Sequence, residues 1–238
     1  ILQHFLTNKD TTMTKALGDI VSNHITAIKE RTITDKPASR MHKRDPLSPD
    51  RLKQWKTWLN WKTDKDPELA KLLRAGATFI RDLCYDYYGP KRWLSLIGTS
   101  GAGKTHMAKG IYRAWEGKGR WFVNRNGANQ PRDGYYWDFS RFINELRSGH
   151  YGVFDDCRRA DFLILDDVGA GHSHSTFAID KLYELLNERL GKWTVLTSNL
   201  TLTQFQEWDQ RIASRLIRDG NECVETVTKD FATRRLND

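Results

Sequence analysis

Residues 94–105 read Leu94-Ser95-Leu96-Ile97-Gly98-Thr99-Ser100-Gly101-Ala102-Gly103-Lys104-Thr105, and their reading decides the fold. Leu94, Leu96 and Ile97 form a short apolar run that suits a buried strand. From Gly98 to Thr105 every fixed position of the phosphate-binding pattern G-x-x-x-x-G-K-[ST] is filled. A helical pattern follows at once through Met107, Ile111 and Trp115. Strand, glycine-rich turn and helix is the context the pattern needs. Gly101 and Gly103 let the backbone curl without Cβ clashes, so that successive N–H groups point at phosphate oxygens. The helix that opens at Lys104 adds the positive end of its dipole. Lys104 reaches the β and γ phosphates, and Thr105 offers its hydroxyl to Mg²⁺. Gly98, Thr99, Ser100, Gly101, Ala102, Gly103, Lys104, Thr105 and His106 are the expected contacts of ATP.

Some sixty residues further on stands Phe162-Leu163-Ile164-Leu165-Asp166-Asp167. Four apolar residues make a buried parallel strand, and two carboxylates stand at its C-terminal end. Ligands bind at that edge of an open α/β sheet. Asp166 is expected to hold Mg²⁺, largely through water, and Asp167 to orient and polarise the attacking water. Trp193-Thr194-Val195-Leu196-Thr197-Ser198-Asn199 reads as another strand. Its terminal Asn199 offers an amide to that water or to the γ-phosphate.

The remainder of the chain frames this centre. Its 238 residues are 39% hydrophobic, enough to bury the core of one α/β domain with an appendage. No apolar run approaches the ~20 residues of a membrane span, and no signal-peptide pattern opens the chain. Cys84, Cys157 and Cys223 are scattered, without metal spacing, as expected in a reducing cytoplasm. Net charge is +8, yet residues 98–238 carry 20 basic and 19 acidic side chains. The basic excess therefore precedes the glycine-rich loop. It points to a polyanion, nucleic acid first, with a solvated charged surface as the plain alternative.

Met13, Leu17, Ile20, Val21, Ile25 and Ile28 recur at helical spacing, a stripe that packs on its own domain or docks on a partner. Pro37 to Pro49 reads as a linker, so residues 1–45 form a docking segment ahead of a domain over residues 46–238. Leu52, Trp55, Trp58 and Leu59 form a further stripe, read as core. Asp66-Pro67-Glu68 starts a helix that runs to Cys84. Lys118, Arg120, Arg125 and Arg132 surround Trp121, Phe122 and Asn-Gly pairs, in a segment that is either a surface hairpin or a DNA-contacting loop. Tyr135 to Phe139 reads as a strand, and Ser140 as the cap of the next helix. Ile179 to Leu190 forms another helix, and residues 204–220 follow it. His172 and His174, in a Gly/Ser loop, are read as solvated.

These motifs together resemble an AAA+ ATPase, in the branch of DnaC/DnaI-type helicase loaders and IstB-type transposition helpers. The resemblance spans about residues 68–238. It rests on the phosphate loop, Leu165-Asp166-Asp167-Val168-Gly169, Thr197-Ser198-Asn199 and Arg211-Ile212-Ala213-Ser214-Arg215-Leu216. It implies a P-loop αβα sandwich with a parallel sheet, no C-terminal lid and a helical N-terminal extension. It also implies that Asn199 is sensor 1 and that Arg215, or else Arg211 or Arg218, is an arginine finger acting on a neighbouring subunit. The second acid of the pair is usually Glu in AAA+ proteins and is the shorter Asp167 here. Only 23 residues follow Arg215, too few for the helical lid. Phe231 to Arg235 resembles the branch's C-terminal ending. The implied activity is ATP-dependent loading of a replicative helicase onto DNA, single-stranded by preference, by a cytoplasmic homo-oligomer holding Mg²⁺-ATP between subunits. The first alternative is a transposition helper that coats duplex DNA and recruits a transposase. The second is a module that holds ATP as a structural ligand.

Overall fold

A computed structural model describes residues 67–85, 92–123, 129–170, 175–218 and 220–227. The stripes at Met13–Ile28 and Leu52–Leu59, the linker, His172, His174 and Phe231–Arg235 lie outside the described residues. Helix α1 spans Pro67–Tyr85, as Pro67 at its first position predicts. Strand β1 (Trp93–Gly98) leads through the glycine-rich loop into α2 (Lys104–Ala114), which passes into a π-helical turn at Trp115–Gly119. Strands β2 (Trp121–Val123) and β3 (Asn129–Pro131) pair antiparallel. Next come β4 (Gly134–Asp138), α3 (Phe139–Arg147), α4 (Gly152–Arg159) and β5 (Phe162–Val168). Helix α5 (Thr176–Glu188), β6 (Trp193–Ser198), α6 (Leu202–Trp208), α7 (Gln210–Leu216) and β7 (Glu222–Thr226) complete the described chain.

Five strands form one parallel sheet in the order β4-β5-β6-β1-β7. Parallel strands need crossover connections, so helices cover both faces and the central strands are apolar throughout. β1 and β6 are buried at all six positions. On one face Leu163, Leu165 and Leu196 join Phe142, Phe154, Leu182, Phe205 and Ile212 from α3 to α7. On the other, Phe79 of α1 and Tyr112 of α2 pack on Phe162, with centroids 6.3 and 6.4 Å away. Each fully buried side chain of this kind stabilises the fold by ~1.5–3 kcal/mol.

Three local readings are corrected here. Asp138, rather than Ser140, caps α3, accepting the Arg141 N–H at 2.9 Å. An aspartate ending an extended strand has the backbone geometry a cap requires. Helix α5 stops at Glu188, and Leu190 is exposed. Arg132 is not a DNA-facing cation: it is 2% exposed and donates to the Leu83 carbonyl at 2.9 Å, closing the end of α1. The segment around it contains the β2–β3 hairpin, with Arg125 outside the described residues. In addition, β7 is a strand the periodicity does not announce.

Arg189 is a further surprise, fully buried in the turn after α5. It donates to the carbonyls of Cys157 (2.7 Å), Ala160 (2.8 Å) and Trp193 (2.6 Å), and to Thr194 Oγ1 (2.9 Å). Burial lowers its pKa to about 10. It ties the end of α4 to the start of β6 and so helps to fix where β5 emerges.

Candidate active site

The phosphate loop starts where β1 ends, and Gly98 is required there. Its φ is 109°, and a Cβ would lie 2.1 Å from the Thr226 carbonyl oxygen of β7. Gly98 N–H donates to Leu200 O and Thr99 N–H to Thr226 O, both at 3.0 Å. The loop is thereby clamped between the segment after β6 and the end of β7. Gly103, at φ 88°, turns the chain into α2 and caps it without a side-chain hydrogen bond. The first N–H groups of α2 thus face the concave side of the loop, where an anion completes them.

Lys104 is 5% exposed, and its Nζ donates to the loop's own carbonyls, Gly98 O (3.0 Å) and Thr99 O (2.6 Å). Burial lowers its pKa to about 8, against the opposing pull of Asp167 and Asp166. A cationic amine enclosed by a glycine-rich loop fits a polyphosphate. Phosphate oxygens favour the charged amine, so its pKa rises on binding. Below pH about 8 Lys104 is protonated with or without nucleotide, and affinity should be flat. Above that pH binding takes up a proton, and affinity should fall by up to about tenfold per pH unit. Calorimetry just above this pH, in buffers of different ionisation enthalpy, measures the uptake. Zero uptake would contradict this account of Lys104.

The two acids at the end of β5 have separate surroundings. Asp166 is 6% exposed and accepts three hydroxyl donors. Thr105 Oγ1 (2.9 Å) and Thr197 Oγ1 (2.5 Å) reach Oδ1, and Tyr136 OH reaches Oδ2. Thr105 and Asp166 together present the hard oxygen ligands that Mg²⁺ takes alongside substrate phosphates. Among the described residues no cluster of three or more His, Cys, Asp or Glu is arranged for a metal. A cation held here by Thr105 and Asp166 would need further ligands, such as phosphate oxygens and water, to complete its shell.

Asp167 has φ 59°, the one positive value among described non-glycine residues. The β5–β6 register shifts between Leu165 and Val168, and the irregularity turns the Asp167 side chain toward the loop after β6. Its N–H donates to Thr197 Oγ1 at 2.9 Å, and its Oδ1 accepts from Asn199 Nδ2 at 3.1 Å. Such a backbone costs ~1–3 kcal/mol, and strain of this kind collects at functional sites. Burial, then Asp166 and Asp138, raise the Asp167 pKa, while Lys104 opposes them. A more basic carboxylate is a better acceptor for a proton from water.

Lys104, Thr105, Asp166, Asp167 and Asn199 are thus brought to one sheet edge. Arg215 is not among them. It lies on α7 and donates to Asn187 Oδ1 (2.6 Å), Arg211 O (3.2 Å) and Tyr183 OH (3.2 Å), with its guanidinium 4.5 Å from the Tyr183 ring centroid. Arg211 shares that ring at 4.4 Å and pairs with Asp209 (2.7 Å) and Asp180 (3.7 Å). Arg218 is exposed. Sequence reading missed Tyr136, the bridging hydroxyl of Thr197, and the Tyr183–Asn187 seat. The alternation of β4 was the available signal, since it puts Tyr136 on the opposite face from Tyr135 and Trp137.

A β4-β5-β6-β1-β7 parallel sheet with a P-loop after β1, two acids after β5 and an amide after β6 defines an AAA+ nucleotide-binding domain. The chain belongs to the IstB-like ATP binding protein family, whose family model matches residues 74–219. No curated protein sequence matches the chain significantly. Among solved structures it is similar to DnaI, at 20% identity and TM-score 0.55, over 77% of this chain and 94% of that one. It is also similar to the DnaC helicase loader, at 19% identity and TM-score 0.53, over 80% and 100%. Domain III of the replication initiation protein DnaA from Thermotoga maritima is similar at 21% identity and TM-score 0.56, over 80% and 72%. No helix among the described residues is long and apolar enough to cross a membrane.

Proposed function

We propose that the chain hydrolyses ATP between the subunits of a homo-oligomer and uses the cycle to load a replicative helicase onto single-stranded DNA in the cytoplasm. The observation that carries hydrolysis is the Asn199–Asp167 contact beside Lys104. A strained backbone holds a carboxylate of raised basicity where the γ-phosphate of a bound nucleotide would lie. Thr105 and Asp166 would hold Mg²⁺, which when bound would supply positive charge against the phosphate oxygens. Lys104 binds the β and γ oxygens, Asp167 takes the proton of the attacking water, and Asn199 holds that water in line. Arg215 completes the site of the adjacent subunit.

Loading is supported by the likeness to the solved DnaC helicase loader chain, all of which is covered, and by the basic excess before the P-loop. Residues 1–45 would dock the helicase. The family match to IstB-like proteins favours one other reading, a helper that coats duplex DNA for a transposase. Turnover and helicase transfer distinguish them. With ATP, the protein should bind oligo-dT in preference to a duplex of equal length and place helicase hexamers on closed single-stranded circles. Binding should fall steeply with salt. Removing residues 1–45 should abolish transfer while ATP turnover persists. Duplex coating without helicase binding would overturn loading in favour of the transposition reading. Absence of turnover under all conditions would leave ATP as a structural ligand.

A further inference from the structure

We propose that Tyr136 is a positioning residue that fixes the Asp166 carboxylate for a small divalent cation and disfavours a large one. The inference rests on the reading of this site as a Mg²⁺-nucleotide centre. A carboxylate at a strand end has two equivalent oxygens and a rotatable bond. It can offer one oxygen, offer both, or turn away. Here the choice is removed. Tyr136 OH occupies Oδ2, while Oδ1 takes the hydroxyls of Thr105, from the first turn of α2, and of Thr197, from β6.

The phenol is itself held firmly. Tyr136 is 4% exposed on β4, one strand away from Asp166, with its ring edge-on to Tyr112 at 5.8 Å. Tyr112 in turn packs on Trp115 and Phe162, at 5.6 and 6.4 Å. An aromatic cluster that spans α2, the π-helical turn and β5 therefore decides where one hydroxyl points. With Oδ2 engaged by Tyr136, a cation meets only Oδ1, which the two threonine hydroxyls already crowd, so one-oxygen contact or contact through water is favoured over a two-oxygen grip. That suits Mg²⁺, which keeps several waters in a strict octahedron and takes one or two carboxylates. It suits Ca²⁺ poorly, since Ca²⁺ has six to eight ligands and often takes both oxygens of a carboxylate. Tyr136 thus acts on cation choice through Asp166 and touches neither nucleotide nor cation.

Tyr136→Phe keeps the ring and deletes only the donor. Mn²⁺ is the probe, titrated into the full chain with ADP and followed by electron paramagnetic resonance, with Ca²⁺ as competitor. The variant should bind Mn²⁺ about tenfold or more weaker, within the ~10–100-fold range for removal of a partner of a metal ligand. Ca²⁺ should displace Mn²⁺ at a lower concentration ratio than in the parent. Affinity for a fluorescent ATP analogue in EDTA should match the parent, which a merely structural role would not allow, and the thermal midpoint of the metal-free protein should fall by only a few degrees, the cost of one donor lost from a buried carboxylate. Unchanged Mn²⁺ affinity with an unchanged Ca²⁺/Mn²⁺ ratio overturns the proposal. Failure of the parent itself to bind Mn²⁺ in a nucleotide-dependent way overturns the reading of the site, and the proposal with it.

Discussion

Arg215→Ala is expected to bind ATP nearly as well as the parent and to hydrolyse it on the order of 10³–10⁵-fold more slowly, the range for removal of an arginine finger. Two observations single out this residue. Among the described residues its guanidinium hydrogen-bonds to neutral groups, the Asn187 amide, the Tyr183 hydroxyl and the Arg211 carbonyl, none of them in its own chain's P-loop. Its charge is oriented yet has no anionic partner among the described residues. Arg211, by contrast, is already paired with Asp209. A finger needs an unneutralised charge, since it acts by stabilising negative charge that spreads over the transferring phosphoryl oxygens. The trans assignment has its own test. Lys104→Ala should be dead for a different reason, an empty nucleotide site. Mixing the two inactive proteins should restore part of the turnover, because some interfaces then pair an intact loop with an intact Arg215. If mixed oligomers form and stay inactive, Arg215 does not act in trans.

The second large effect belongs to Asp167. Asp167→Asn should leave ATP affinity within a few-fold of the parent and lower turnover by roughly 10²–10⁴, the usual worth of a general base. The substitution isolates chemistry from fold. Asparagine tolerates the left-handed backbone at φ 59° as well as aspartate does, and its amide oxygen still accepts from Asn199. Only the basic oxygen is lost. Equilibrium binding and single-turnover hydrolysis measured on the same preparation decide the matter. Parent-like turnover would remove Asp167 from the mechanism, and a lost affinity would make it a binding residue.

The centre of this protein was legible in its sequence for a physical reason. A loop that encloses phosphates tolerates few residues, so Gly98 to Thr105 and the paired acids after Phe162–Leu165 announce themselves. The AAA+ fold was implied by the resemblance of these motifs to AAA+ ATPases. What stayed hidden depends on tertiary partners. Strand β7 reads Glu-Cys-Val-Glu-Thr, three polar residues in five without alternation, and among the described strands it is an edge strand paired with β1. Arg132 looked like a surface cation because sequence does not reveal that an open carbonyl of α1 lies beside it. Tyr136 looked like one more apolar strand residue, although its hydroxyl meets Asp166. Asp138 and Ser140 are both good caps, and only the actual end of β4 chooses between them.

The clamp on the phosphate loop has a mechanical consequence. Leu200, whose carbonyl holds Gly98, stands next to Asn199 and two residues before α6, which adjoins α7 and Arg215. Ser198 Oγ pins the same strap by donating to Val168 O at 2.6 Å and accepting the Leu200 N–H at 3.0 Å. The strap is a short link with the proposed γ-phosphate seat at one end and α7, which carries Arg215, at the other. A tilt of α6–α7 against a neighbour is transmitted to the loop backbone through a single peptide. On the proposed trans role of Arg215, loading one pocket would, by the same linkage run backwards, set the angle at which that subunit offers its arginine to the next. Cooperative firing around a ring would then need no separate relay domain.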